Sequence, residues 1–440
     1  MQEMQIYKQR RLNLLSQLSS GVAIIPNSFE QKRSNDTHYN YRFDSYFYYL
    51  TGFDESESLL VLDAINKKSI LFCKSKDPLR ELWDGKRYGL ELAKEQFLFD
   101  EVYDIGLVHQ ELYKLITNTK QLYYTLSHIE YYDKIILDIL VKLRKNIRNG
   151  LEIPVQIIDI NHLIAEKRLI KDATEISLLQ KAADISIDAY ISVMQSIKNI
   201  DYEYQVEAKF LECFVKNGAR SPAYSPIIAS GANACILHYS NNNVAFTKNG
   251  LILIDAGAEY MGYAADITRT FPVNGSFSKE QREIYEIVLE AQRAAMKAVK
   301  PGNDFLEPNR EAMIVLAQGL ERLGILPTTA EEALKEENQF YKRYSLHNVS
   351  HMLGLDVHDC AQARAENYKW GKLEAGMVLT VEPGLYFQID DLTVPAKYRG
   401  IGVRIEDDVL VTPKGCKNLS AHIPTEVSEI ESWIKKLWKK

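Results

Sequence analysis

Three acidic residues of this chain follow directly on apolar stretches that have the length and composition of buried strands. Asp255 follows LILI, Glu382 follows MVLTV, and Glu406 follows GIGVRI. A carboxylate in a buried strand destabilises the fold unless it is hydrogen-bonded, paired or bound to a cation. Each acid alone could lie in solvent just past its strand. Three such cases in one chain favour a site at which the strand ends meet.

Asp255 and Asp266 lie on the two arms of a predicted hairpin. The segment DAGAEYMGYAAD is typical of a strand, a turn around Tyr260, Met261 and Gly262, and a return strand into ITRTFPV. Antiparallel pairing would bring the two carboxylates beside each other across the strands. Two like charges repel unless a positive charge lies between them, and a metal ion is the usual solution.

Histidines supply further candidates for such a site. Of the nine in the chain, His347, His351 and His358 fall within HNVSHMLGLDVHD, and His238 lies in CILHYS. Their spacing predicts that His347 and His351 share one face of either a helix or a strand. A single histidine in an apolar setting is usually a satisfied core residue, but three within twelve positions favour a functional site.

The carboxylates and one imidazole would form an oxygen-rich set of metal ligands. A set without cysteine disfavours structural zinc and suits Mn²⁺, with Co²⁺, Zn²⁺ or Fe²⁺ as substitutes. Five such ligands are enough for two ions, which in paired sites lie ~3.5–4 Å apart and activate a shared water. Arg404 faces the same side of its predicted strand as Glu406. It either orients the carboxylates or forms an ordinary surface ion pair. The ligand candidates are Asp255, Asp266, His351, Glu382 and Glu406.

The length of 440 residues suggests two or three domains. Residues 1–171 mix the strand-like runs GVAIIP, SLLVLDA and KSILFC with amphipathic stretches, which predicts an α/β domain. Residues 172–440 are predicted to be α+β. Their first helix would be capped by Asp172 or Thr174, a second would end at Gly218, and a third would start at Ser278 in a capping box.

Charge and composition bear on binding partners and on location in the cell. A net charge of -6 does not favour binding to nucleic acid or to an anionic membrane surface. The sequence contains no apolar run of about 18 residues, so no membrane span is expected. The N-terminal stretch lacks the apolar core of a signal peptide, and the five cysteines lack CxxC spacing. A reducing cytoplasm is the expected location.

Several segments together resemble a known family. The series LIDAG…GYAADITRTFPV, LHNVSHMLGLDVHD, MVLTVEPGLY and YRGIGVRIEDDVLVT resembles the Xaa-Pro peptidase branch of the pita-bread metallopeptidases. The segments YNYRFDSYFYYLTGFDE and ELWDGKRYG are similar to the N-terminal domain of bacterial aminopeptidase P. The resemblance implies a creatinase/prolidase-like N-terminal domain followed by a pita-bread catalytic domain of the creatinase/aminopeptidase type.

The resemblance also implies roles for the ligand candidates. Asp255 would bind one metal ion, His351 and Glu382 would bind the other, and Asp266 and Glu406 would bridge both. Mn²⁺ is the expected metal. A hydroxide between the ions would attack the carbonyl of the bond that precedes a proline in the second position of a peptide, with Glu382 as the proton acceptor.

Further roles follow from the same resemblance. His238 and His358 would stabilise the substrate carbonyl and the tetrahedral intermediate. His347 would line the pocket on the proline side, and Arg404 would support the metal ligands. Relatives are dimers or tetramers, so the resemblance implies a homodimer or homotetramer.

The chain departs from the family pattern at a few positions. Asn348 stands where a small residue is usual, and Arg364 is the candidate for an arginine that contacts the substrate. Tyr46 replaces an acid that bacterial relatives often have, and Asp44 is a candidate to compensate for it. Trp83 is expected to help wall the substrate pocket, including that of a neighbouring subunit.

Two other functions remain open at this point. A prolidase restricted to Xaa-Pro dipeptides would share the metal site and differ only in the pocket walls. A pita-bread protein without catalytic activity would bind peptide, histone or RNA instead. The retention of five ligand candidates and three flanking histidines favours a metal-dependent aminopeptidase, and the lack of a basic patch disfavours RNA binding.

Overall fold

The computed structural model describes residues 2–360, 363 and 371–439. The chain divides into two compact units, Met1–Arg168 and Leu169–Lys440. This division falls three residues before the boundary predicted between residues 171 and 172. Arg364 lies outside the described residues.

The first unit is an α/β structure built on a mixed sheet of six strands in the order β4-β3-β2-β1-β5-β6. The strands are Val22–Pro26 (β1), Leu59–Asp63 (β2), Lys68–Cys73 (β3), Glu101–Asp104 (β4), Gln121–Tyr123 (β5) and Gln156–Ile158 (β6). The helices are Gln2–Leu15 (α1), Ser45–Thr51 (α2), Pro78–Asp84 (α3), Gly89–Phe97 (α4), Val108–Ile116 (α5), Glu130–Lys145 (α6) and Ile160–Leu169 (α7), with 3-10 turns at Ile105–Leu107 and Ile147–Asn149. The predicted α/β class is confirmed for this unit.

The three predicted strands of this unit form β1, β2 and β3, and they pair antiparallel with one another in that order. All residues of β1 and β2 are buried. Alternate residues of a strand face the same side, so Val22 and Ile24 join one core with Leu112 of α5 and Ile136 of α6.

Several aromatic residues up to residue 53 pack in the interior of this unit, although Tyr39 is exposed. Phe47, Tyr48 and Phe53 are buried, and the ring of Phe43 stacks on that of Tyr48 at a centroid distance of 3.6 Å. Asp44 caps α2 by accepting hydrogen bonds from the backbone N–H groups of the second and third helical residues.

The second unit is α+β, as predicted. Its helices are Ala173–Ser196 (α8), Glu203–Lys216 (α9), Lys279–Ala298 (α10), Glu307–Arg322 (α11), Ala330–Ala333 (α12) and Val427–Leu437 (α13), with 3-10 turns at Ile197–Asn199, Gly231–Cys235, Phe340–Arg343 and Ala396–Tyr398. Its strands are Ser221–Pro222 (β7), Ile227–Ser230 (β8), Leu251–Asp255 (β9), Ala258–Tyr260 (β10), Tyr263–Ala264 (β11), Thr268–Pro272 (β12), Val378–Val381 (β13), Gly384–Tyr386 (β14), Gly402–Arg404 (β15), Asp407–Thr412 (β16) and Gly415–Asn418 (β17).

The strands of this unit form short sheets. Among the described residues the sheet orders are β11-β10-β7, β12-β9-β8, β13-β16-β17 and β14-β15. Helix termini follow the sequence signals: Asp172 caps α8, Ser278 caps α10, and both form capping boxes. Gly218, just beyond α9, adopts a left-handed φ of 87°. None of the described helices is long and apolar enough to cross a membrane.

The predicted hairpin that carries two of the acids is confirmed. Strands β9 and β12 pair antiparallel, and β10 and β11 extend the same two arms to a tight turn. Met261 and Gly262 at the turn have φ values of 48° and 83°, the two left-handed residues of a type I′ turn. Gly257 allows the arms to approach, because a Cβ there would lie 1.6 Å from the carbonyl oxygen of Ala265. Beneath the hairpin, the hydroxyl of Tyr190 on α8 bonds to backbone carbonyls of both arms.

Candidate metal centre

A cavity of about 750 Å³ lies in the second unit. All nine residues that the sequence predicts as metal ligands or as catalytic groups line this cavity, although they come from five separated segments of the chain. The structure therefore brings the whole predicted set together. These residues are His238, Asp255, Asp266, His347, His351, His358, Glu382, Arg404 and Glu406.

Asp255 and Asp266 face each other from the two arms of the hairpin, and both are buried. The hydroxyl of Tyr224 lies 2.5 Å from Oδ1 of Asp255 and 2.7 Å from Oδ1 of Asp266. The two carboxylates share one hydroxyl proton and lie close together, an arrangement that a bound cation stabilises. Burial raises the pKa of Asp255; the charge of Arg404 offsets part of this rise, and the Asp266 carboxylate adds to it.

His351 reaches the cavity beside two carboxylates. Its Nε2 atom lies 3.4 Å from Oδ2 of Asp266 and 3.6 Å from Oε1 of Glu382. Its Nδ1 atom lies 3.1 Å from the carbonyl oxygen of Met352, which holds the proton of a neutral ring on Nδ1. The lone pair of Nε2 then points at two carboxylates, an arrangement that favours a bound cation.

The ionisation of these three groups is linked. Burial lowers the pKa of His351, but the hydrogen bond and charge of Asp266 and the charge of Glu382 outweigh burial and raise it to about 9. Burial raises the pKa of Asp266, but the hydrogen bond and charge of His351, together with Tyr224 and Arg404, bring it below its ordinary value. Burial is also the main cause that raises the pKa of Glu382 to about 7.

The segment that carries His347 and His351 differs from its prediction. Residues 345–359 are all described and form neither a helix nor a strand, apart from an isolated bridge at Met352. The expectation of a shared helix or strand face was therefore wrong. His351 is instead held by Thr380 of β13, two residues before Glu382: its carbonyl oxygen accepts the Thr380 N–H, and its own N–H donates to the Thr380 hydroxyl.

Glu406 completes the group of carboxylates from the opposite side. Its backbone N–H bonds to the carbonyl oxygen of Thr268 at 3.0 Å, and its Oε2 atom accepts the Thr268 hydroxyl at 2.6 Å. Asp266, His351 and Glu406 each offer a ligand atom, and these three atoms lie within 4.8 Å of one another. Burial, together with the charges of Asp266 and Glu382, raises the pKa of Glu406 well above its ordinary value.

Arg404 is a buried hydrogen-bond donor rather than a surface residue. Its Nη2 atom lies 2.5 Å from Oδ2 of Asp255, its Nε atom 3.1 Å from the Thr268 hydroxyl, and its Nη1 atom 3.0 Å from the Tyr386 hydroxyl. The planar guanidinium thus fixes one carboxylate and two hydroxyl groups at defined angles.

Three histidines surround the carboxylates. The His347 ring lies 2.7 Å from the Tyr386 hydroxyl through Nε2, and burial followed by the charge of Arg404 lowers its pKa to about 4. The ring of His358 contacts that of His351 edge-on at 4.4 Å between centroids. His238 and His358 are exposed residues on the cavity wall, so both remain accessible to a ligand.

These observations fit a site for divalent metal ions. Four carboxylates and an imidazole converge on one cavity, and their pKa values are displaced because like charges lie close together in a buried place. A cation among them would offset this repulsion and would replace the proton that the raised pKa of His351 places on Nε2. Oxygen ligands and a single nitrogen are the donor set expected for a hard divalent ion.

The chain matches two family models. Residues 177–413 match "Metallopeptidase family M24", and residues 7–123 match "Aminopeptidase P, N-terminal domain". The chain belongs to metallopeptidase family M24. Membership implies divalent metal ions, which agrees with the donor set; the identity of the metal stays a prediction.

Relatives place this M24 chain in the Xaa-Pro aminopeptidase branch. It is 40% identical over 432 residues to the Xaa-Pro aminopeptidase of Escherichia coli, covering 97% of each chain. It is also 40% identical to that of Haemophilus influenzae, covering 97% of this chain and 96% of that protein. The predicted family is confirmed.

Solved structures agree along the full length. The aminopeptidase PepP of Pseudomonas aeruginosa has a TM-score of 0.95, with 40% identity and coverage of 99% of each chain. A zinc-substituted Escherichia coli aminopeptidase P in complex with product has a TM-score of 0.94, with 39% identity and the same coverage. The predicted pita-bread fold is confirmed.

Sequence reasoning missed three residues of the site in this M24 chain. Tyr224 contacts both hairpin aspartates, Tyr386 joins His347 to Arg404, and Thr268 binds Glu406. Tyrosine and threonine are common in packed strands, so no local pattern distinguishes these residues. Thr268 alone could have been found, because it lies opposite Asp255 in the predicted hairpin.

The remaining candidates lie in the first unit. Asp44 caps α2 and pairs with His128 at 2.8 Å, and the ring of Tyr46 contacts that of His128 edge-on. Trp83 is 86% exposed on α3. Their expected part in the substrate pocket stays a prediction.

Proposed function

We propose that this protein is an aminopeptidase that hydrolyses the bond between an N-terminal residue and a proline in the second position. The observation that carries the proposal is one cavity that unites five ligand candidates and three flanking histidines. Full-length identity of 40% to an Xaa-Pro aminopeptidase supports the same activity.

Two divalent ions, most readily Mn²⁺, would be held by the five ligand candidates. Asp255 would bind one ion, His351 and Glu382 the other, and Asp266 and Glu406 both. When bound, such a pair supplies a hydroxide nucleophile at neutral pH and polarises the scissile carbonyl.

The side chains of the protein perform the other tasks. Glu382 borders the cavity and serves as the proton acceptor beside the nucleophile. His238 and His358 line the cavity, and in this proposal they donate hydrogen bonds to the substrate carbonyl oxygen as it gains negative charge. His347, oriented by the Tyr386 hydroxyl, lines the proline side. Arg404 orients Asp255.

This chemistry explains a preference for proline. A bond to the proline nitrogen has no N–H group, and the ring fixes the backbone angle φ. A peptidase that recognises its substrate through that N–H therefore fails. A metal ion that polarises the carbonyl oxygen does not require this N–H donor.

We also propose a homodimer or homotetramer located in the cytoplasm. Helix α3 has no buried residue and exposes Leu79, Leu82 and Trp83, an apolar surface suited to contact with a second copy. None of the five cysteines, all of which are described, forms a disulfide, which suits a reducing compartment.

The test is mass spectrometry of products formed by the Mn²⁺-loaded protein. The substrates are an Ala-Pro dipeptide, a longer peptide that begins Arg-Pro-Pro, and an Ala-Ala-Ala control, each also incubated with a Glu382→Gln variant. Release of only the first residue from both proline peptides, lost in the variant, is the expected result.

Other outcomes would contradict the proposal in different ways. Cleavage of the dipeptide alone would make the enzyme a prolidase. If no substrate is cleaved with Mn²⁺, Co²⁺ or Zn²⁺, the protein is a binding module without catalytic activity.

A further inference from the structure

Glu203, the first residue of α9, is a fully buried carboxylate with five hydrogen-bond donors around it. Its Oε1 atom accepts the Ser230 N–H at 2.8 Å, the Ser230 hydroxyl at 3.0 Å and the Asn233 amide at 3.1 Å. Its Oε2 atom accepts the Tyr239 hydroxyl at 2.8 Å and the Val244 N–H at 2.9 Å. Both oxygens are therefore satisfied by donors alone.

All five donors belong to one loop, residues 230–244, which carries His238. Residues 236–244 are all described and lie in neither a helix nor a strand. No ladder of backbone hydrogen bonds fixes this part of the loop, so side-chain contacts set its shape. Glu203 holds the first and last residues of the loop and also Tyr239, the residue next to His238.

A second contact from the same helix supports this arrangement. Asn242 is buried with a left-handed φ of 46°. Its amide nitrogen lies 2.9 Å from Oε2 of Glu207, one turn after Glu203, and its amide oxygen accepts the Ile228 N–H at 3.0 Å. Helix α9 thus fixes the loop through two acids spaced to lie on one face.

We propose that Glu203 is the positioning residue that places His238 against the reacting carbonyl. The inference rests on the proposed function, in which His238 touches the substrate. Both oxygens of an ionised carboxylate accept hydrogen bonds. Glutamine has the same shape, but its NH₂ group would face some of the donors and could not accept from them. Glu203 acts through the loop and does not contact the substrate itself.

The test is a double-mutant cycle between Glu203→Gln and His238→Ala, measured as kcat and KM on the longer proline peptide. A misplacement of about 1 Å can cost on the order of 10²-fold in rate. In the wild-type background we expect Glu203→Gln to lower kcat by between about 10-fold and 10²-fold with little change in KM, because the lost contact acts in the transition state.

In the His238→Ala background the same substitution is expected to cause no further loss, since the group that it positions is gone. Equal losses in both backgrounds, or no loss in either, would overturn the proposal. Gln205→Ala is the matched control: it weakens the start of the same helix, where Gln205 accepts from the backbone of Asp201 and Tyr202, and should leave kcat unchanged.

Tyr239→Phe provides a milder variant, because it removes one hydroxyl beside His238 and keeps the carboxylate. It serves in the same cycle if Glu203→Gln fails to fold. A readout without catalysis is the NMR resonance of the His238 ring, assigned by its loss in His238→Ala. A shift of this resonance in Tyr239→Phe supports positioning, and an unchanged resonance overturns it. An inactive wild-type protein would instead refute the proposed function, and the NMR result would still decide the role of Glu203.

Discussion

Two lysine–acid ion pairs in the second unit differ in distance and in burial. These two properties predict opposite orders for how much each pair stabilises the fold. Lys171 lies 3.1 Å from Asp359, and both side chains are 1% exposed. Lys335 lies only 2.5 Å from Glu332, but these side chains are 49% and 42% exposed. Distance alone would make the exposed pair the stronger one. Burial predicts the reverse, because water screens the exposed charges and not the buried ones.

Replacement of each lysine by methionine keeps most of the side-chain volume and removes the charge. Lys171→Met removes one partner of a buried ion pair, which costs about 3–5 kcal/mol in the free energy of unfolding. Lys335→Met should cost under about 1 kcal/mol. A unit of about 270 residues has an unfolding entropy of roughly 0.57 kcal/mol/K, so the buried change should lower Tm by about 5–9 °C and the exposed change by under about 2 °C.

The assay is differential scanning calorimetry of the metal-free proteins at one pH. The double variant Lys171→Met/Asp359→Asn removes both charges and should recover part of the loss, since no uncompensated charge stays buried. A Tm of Lys171→Met within 2 °C of that of Lys335→Met would refute the reasoning. So would a double variant whose Tm falls by the sum of the losses measured for Lys171→Met and Asp359→Asn separately.

Three further predictions concern the hairpin turn, the metal site and one ion pair. Met261→Asn should raise the free energy of unfolding by about 0.5–1 kcal/mol in urea titrations, because asparagine tolerates the left-handed turn position better than methionine. Arg404→Lys should lower Mn²⁺ affinity about 10–100-fold in calorimetric titration, because the fork that orients Asp255 is lost; unchanged affinity would contradict this role. Hydrogen bonds from Arg343 lower the pKa of Asp391 from 3.8 to about 2, so the pair stabilises the fold above about pH 4 and this contribution is lost as pH falls toward 2. The gap in urea midpoint between wild type and Arg343→Met should close over that interval.

Local signals in the sequence account for much of the second unit. The turn at Met261 and Gly262 was predictable because both its position and the flanking strand patterns are local. The caps at Asp172 and Ser278 were predictable for the same reason: each side chain bonds to a backbone group within three residues.

Contacts between segments that are distant in the sequence were harder to predict. The Tyr224 hydroxyl reaches Asp255 and Asp266 from 31 and 42 positions away, and no spacing rule relates such residues. The irregular path of residues 345–359 was missed because a spacing of four fits a helix, whereas this segment follows backbone bonds to β13. The histidines were still predictable as a group, since their chemistry does not depend on that path.

The isolated bridge between Thr268 and Glu406 has a consequence for synthesis of the chain. Asp255 and Glu406 are 151 positions apart, so the ligand set stays incomplete until the segment that carries Glu406 has left the ribosome. The Met1–Arg168 unit emerges first and can fold while translation continues. Binding of metal by the full ligand set must then come after the synthesis of residue 406. A nascent chain that stalls before β15 would present the hairpin aspartates to the cell without Arg404, which binds Asp255, and without Glu406.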